Sequence, residues 1–166
     1  SAQSHLSARF SGRAGPQADS WTHQGTVDAR EFRLRGDLIR QFACDLETSP
    51  GKLPSITLRD FLVRREDGDL AGKQAVIDQS AQRLHLQGLT SSCLPAPAAA
   101  MLAPRTGQVL ARYYFEAPPR LELDGTIGLR SPADNNLTIK LHSPGVCGLP
   151  VAGQDWRFSG VSGTLH

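Results

Sequence analysis

At 166 residues and 17.9 kDa the chain has room for one domain with a sizeable core, and 39% apolar with 20% charged residues excludes a polar disordered tract. Lys and Arg total 18 against 16 acids, scattered along the chain for a net charge of +2, which gives nucleic-acid binding no footing. The longest uncharged stretch, residues 84–104, carries three prolines, His85 and Gln87 and is no membrane span.

The chain opens on Ser-Ala-Gln-Ser-His-Leu, with no Met, no basic region and no apolar run. This predicts no targeting segment here: either one was removed or the chain is a piece cut from a longer protein. From Thr26 onward the dominant signal is alternation. It runs through 26–30, 42–47, 83–87, 121–124, 137–142 and 155–159, and a period of two puts the apolar side chains of a strand on one face. The opposite face is charged or polar, as in antiparallel sheets with one buried side. Gly and Pro punctuate the runs at intervals of about 8–15 residues. Pro50-Gly51 and Glu66-Asp67-Gly68 read as hairpin turns, because Gly supplies the positive φ that such turns need. Residues 95–112 break the rhythm: Ala-rich and bracketed by Pro97 and Pro104, they predict a short helix near 97–103 and a second near 105–111. Tyr113, Tyr114 and Phe115 then lead through Pro118-Pro119 into another strand.

A shift of 112 positions brings Val27 onto Ile139, Gly36 onto Gly148, Cys44 onto Trp156 and Gly51 onto Gly163. The reading is a partial internal repeat within a single domain, 1–166, with a first unit at 6–116 and an incomplete second at 119–166.

Catalytic signatures are missing: no Gly-x-Ser-x-Gly, no phosphate-cradling glycine loop, no His-Glu-x-x-His. His85 and His142 occupy polar positions of alternating strands. Asp67 and Asp69 flank Gly68 as turn formers. Cys44, Cys93 and Cys147 are odd in number and lack metal-site spacing, although an oxidising compartment would allow one disulfide. Arg35-Gly36-Asp37 is a turn rather than an adhesion motif, and Asn136-Leu137-Thr138 lies in a strand. The sequence therefore predicts no enzyme activity, no cofactor and no metal. What it offers instead is the sum of its apolar strand faces. Phe42, Leu46, Ile56, Leu58, Leu84, Leu86, Leu121, Leu123, Ile139, Leu141, Trp156 and Phe158, with Cys44, Ile127 and Leu137, would form one stripe. Two architectures accept it: a closed sandwich with the stripe as core, or an antiparallel meander of nine or ten strands curled into an open, taco-like groove with a short helical insert. The second is the fold expected here, since a large exposed apolar surface marks a binding site.

Three phrases carry a family resemblance: GTVDAREFRLRGDLI at 25–39, LRDFLVRREDGDLAG at 58–72 and FEAPPRLELDG at 115–125. They resemble the repeating phrases of the AsmA-like group of bacterial envelope proteins, which includes the TamB relatives; the resemblance spans residues 25–166. It implies a periplasmic β-groove on a parent anchored in the inner membrane. It also implies acyl chains of phospholipids as ligands and a part in lipid transport between membranes or in outer-membrane assembly, with assembly proteins as partners. The Ala/Pro-rich insert at 95–104 departs from the family's pattern.

Overall fold

The computed structural model describes residues 4–13, 22–50, 53–102 and 104–166. Its strands are β1 (His5–Arg13), β2 (Thr22–Leu34), β3 (Asp37–Thr48), β4 (Ile56–Arg64), β5 (Asp69–Asp78), β6 (Arg83–Ser91), β7 (Tyr114–Phe115), β8 (Arg120–Gly128), β9 (Asn136–His142), β10 (Val146–Val151), β11 (Gln154–Ser159) and β12 (Ser162–Leu165). Helices α1 (Pro95–Leu102) and α2 (Pro104–Leu110) fill the insert between β6 and β7, where the alanines and prolines place them.

Nine strands form one antiparallel sheet in the order β1-β2-β3-β4-β5-β6-β8-β9-β12, and β11-β10-β7 form a second, three-stranded one. The large sheet is a meander that stays open, with β1 and β12 as separate edges. At about 4.8 Å per strand it spans roughly 38 Å. The expected nine or ten strands in one sheet are thus twelve in two. The large sheet keeps nine, and the chain leaves it after β9 to build the β10–β11 hairpin before returning as β12.

Short turns set the register. Arg35 (φ 53°) and Gly36 (φ 96°) make the two-residue turn that closes β2 on β3, with Leu34 opposite Asp37. Gly68 (φ 146°) closes β4 on β5, where the Arg65 N–H donates to the Gly68 carbonyl at 2.9 Å. The Pro50-Gly51 turn expected from sequence lies outside the described residues.

A line of irregularities crosses the middle of the sheet. The β3–β4 register slips between Ala43 and Asp45, and the β6–β8 register slips between Leu86 and Leu89. Asp60 (φ 46°), Gly88 (φ 61°) and Gly125 (φ 125°) mark its course, for Phe61 is opposite Gly72, Gln74 opposite Gln87 and Leu86 opposite Gly125. Each bulge bends its strand and increases the local twist, so aligned bulges curl the whole sheet. The Gly88 N–H donates to Asp124 Oδ1 at 2.6 Å and fixes the bend. A Cβ on Gly125 would fall 2.1 Å from the Asn136 carbonyl oxygen, so no other residue fits there.

Two hydrophobic regions result. One is a thin cluster on the sheet, with Cys44, Phe61 and Ala75 buried and Val27, Phe42, Leu46, Leu58, Leu84, Leu86 and Leu89 packed around them, only partly covered. The other lies beside and within the helical insert, where Cys93 is wholly buried and Ala98 and Met101 nearly so. The accessible surface, 10966 Å², exceeds the roughly 8,000 Å² expected of a compact monomer of this mass.

Candidate functional site: one apolar sheet face

The face assembles from cross-strand pairs. Leu6, Ala29, Phe42, Val63, Leu70, Ser91, Leu121, Leu141 and Gly163 are successive partners and run across all nine strands. Beyond the line of bulges, Phe10, Gly25, Leu46, Leu58, Ala75, Leu86, Gly125 and Leu137 make a second row over eight strands. Shorter rows join them: Ile56 with Ile77, Leu84 and Ile127, and Leu89 with Leu123, Ile139 and Leu165. Ten of the twelve residues expected in the stripe therefore share one face. All ten are half-buried.

Trp156 and Phe158 do not join them. They stand on β11 in the small sheet, 48% and 43% exposed and stacked on each other with ring centroids 6.3 Å apart. Alternation is the same in either sheet, so period alone could not assign β11. Conversely, the stripe contains residues that strict alternation leaves out. In β4, counting by twos from Ile56 and Leu58 leads to Asp60 and Leu62, but the bulge at Asp60 turns Phe61 and Val63 inward instead. The uninterrupted Phe61-Leu62-Val63 run was the available signal of a break. Phe61 is 8% exposed, its ring lying where a Cβ on Gly72 would be.

The opposite face is hydrophilic. Arg59–Glu47 at 2.9 Å, Arg30–Asp28 at 2.9 Å and Lys140–Glu122 at 3.1 Å form exposed pairs on it. His85 Nδ1 lies 2.9 Å from Thr126 Oγ1, and His142 Nδ1 lies 2.8 Å from Ser162 Oγ. Two shallow hollows of about 460 and 720 Å³ flank the row Arg9-Thr26-Asp45 on this face. The Arg30 guanidinium holds the Asp28 carboxyl below its usual range. Among the described residues, no three His, Cys, Asp or Glu gather as a metal would require.

The end beside the insert is built differently. Arg65, its side chain 7% exposed, donates from Nε to Asp67 Oδ1 at 2.7 Å and lies 3.0 Å from Met101 Sδ of α1 and 3.8 Å from Asp37 in the neighbouring hairpin. The other Asp67 oxygen accepts the Leu94 N–H at 3.0 Å, at the start of α1. One arginine thus ties two hairpins to the helical insert. Burial pushes the Cys93 thiol up to about 11 and raises that of Cys44, so both stay protonated and unreactive near neutral pH. All three cysteines are free.

Comparison of the chain with protein-family models, with characterised proteins and with solved structures returned no match. Among the described residues no helix is long and apolar enough to cross a membrane.

Proposed function

We propose that the chain is a non-enzymatic β-groove segment that holds acyl chains. In this reading it serves phospholipid transport between membranes, or envelope assembly, in the bacterial periplasm as part of a protein anchored in the inner membrane. The observation that supports the reading is the pair of rows crossing eight and nine strands, whose large apolar side chains are mostly only half-buried. Each methylene taken from water contributes about 0.8 kcal/mol, so an acyl chain of about 16 carbons gains on the order of 12 kcal/mol gross. That matches what a bilayer offers. A lipid could exchange between the two without a large penalty and slide along near-equivalent rows, while its headgroup stays in water. The AsmA-like phrases supply the placement in the envelope.

The test is native mass spectrometry of gently purified protein, with fluorescent phospholipid added back. Co-purified phospholipid and saturable binding are expected, and Ile139→Asp should weaken binding at least about fivefold by placing a charge among acyl chains. Lys140→Ala, on the other face, should leave it unchanged. Absence of lipid with equal behaviour of both variants overturns the reading. A second reading has one feature in its favour: among the described residues β1 is a nine-residue edge paired only with β2, with Leu6 and Phe10 exposed. Such an edge could accept a strand of an unfolded outer-membrane protein. In that case an alternating apolar peptide would bind and phospholipid would not compete.

A further inference from the structure

The β10–β11 hairpin stands apart from the apolar face. β10 pairs with β7 only at Cys147 and Gly148, so the hairpin runs on beyond it as a two-stranded ribbon closed by Ala152 (φ 50°) and Gly153 (φ 79°). Among the described residues the outer edge of β11 has no neighbouring strand, and every residue from 151 to 160 is exposed. β11 carries no proline, no lysine and no bulge, and its two charges, Asp155 and Arg157, are of opposite sign.

We infer that β11 is a self-pairing edge that joins two copies of this chain across a two-fold axis at Trp156. The argument is charge register. An antiparallel pair centred on Trp156 sets Asp155 opposite Arg157 of the second copy, and Arg157 opposite its Asp155. Two reciprocal ion pairs then form on one face. On the other face the two Trp156 rings meet directly, each with its own Phe158 stacked beside it at 6.3 Å. The cross-strand partner of Arg157 is Gly148, which has no side chain, and its guanidinium reaches back across Gly148 to lie 5.3 Å over the Tyr114 ring of β7. Pairing would exchange that ring for the second Asp155, with the side chain swinging towards the free edge on the same face. A shift by one residue would place Trp156 opposite Arg157 and lose both ion pairs, so the edge specifies its register. A six-residue strand buries little area, which puts the dimer in the weak, concentration-dependent class. The inference rests on the small sheet and is independent of what the large sheet binds.

The test is sedimentation equilibrium of the full chain over about 10 µM to 1 mM. A monomer–dimer equilibrium is expected. Arg157→Asp and Asp155→Arg should each weaken it at least about tenfold by setting like charges opposite each other. The double exchange, Asp155→Arg with Arg157→Asp, should restore it to within about threefold. Mixing the two single variants should give a heterodimer. Both sites are exposed, and unchanged circular dichroism checks the fold. A chain that stays monomeric throughout overturns the proposal. So does a dimer indifferent to the single reversals, or one that the double exchange fails to rescue. Vesicle flotation runs in parallel. Binding to vesicles that depends on Trp156, with no dimer in solution, would assign the ribbon to a lipid surface instead.

Discussion

The large sheet and the end beside the helical insert bury their side chains to different depths. At the insert, Cys93 is fully buried, and Arg65, 7% exposed, is satisfied by two aspartates and a methionine sulfur. Across the sheet, only Cys44, Phe61 and Ala75 of the main cluster are buried, while the leucines around them remain half-covered. The first region is a sealed structural core built from few residues, in which each one matters. The second has a small buried cluster and distributes the rest of its apolar surface over many half-covered positions, each of which matters less. A face that is to take and release a greasy ligand has to be of the second kind, and the first kind is what keeps such an open sheet folded.

The sharpest way to break this comparison is Arg65→Ala. It leaves Asp67 without its cation beside the helix start, and a loss of about 3–4 kcal/mol is expected from urea unfolding. Arg65→Ala with stability unchanged would dissolve the contrast between the two regions. Phe61→Ala, in the buried cluster of the sheet, should cost about 3 kcal/mol. Gly125→Ala forces a side chain into a positive φ and against the Asn136 carbonyl, at about 2 kcal/mol by thermal melting. Ile139→Ala, at a half-covered row position, should cost only about 1 kcal/mol; a value near that of Phe61→Ala would mean that the face is sealed.

The smallest effect concerns pH. Cys93 is held as a thiol up to about 11, above its ordinary value of 9.0. The unfolded chain therefore gives up this proton before the folded one does. The contribution is fully present below pH 9 and is lost as pH rises towards 11, so the urea midpoint should fall over that interval. Cys93→Ala should flatten the slope. Alkylation of Cys93 should require denaturant at neutral pH.

Strand positions, the helical insert and ten members of the stripe were legible in the sequence because alternation and Gly/Pro punctuation are local signals. The Arg35-Gly36 and Glu66-Asp67-Gly68 turns were legible for the same reason. Partner choice was not. Nothing near Trp156 says that β9 pairs with β12 while β10 and β11 form another sheet, so Trp156 and Phe158 were placed on the wrong surface. The 112-residue shift aligns β2 with β9, both in the large sheet, and β3 with β10 and β11, which lie in the small one. Bulges were equally silent: Asp60 looks like an ordinary polar position, and only the pairing shows that Phe61 replaces it on the apolar face. Arg65 reads as one charge among many in Arg-Arg-Glu-Asp, and its burial depends on a helix that arrives some thirty residues later.

The central claim, that the apolar face of the large sheet is where acyl chains lie, is tested most directly by photo-cross-linking. A benzophenone side chain is placed at Leu123 on that face and, in a separate protein, at Glu122 on the face behind it. The protein is incubated with phospholipid vesicles, irradiated and analysed for lipid adducts. The account expects adducts from position 123 and essentially none from position 122. Equal labelling at both positions, or none at either, would contradict it.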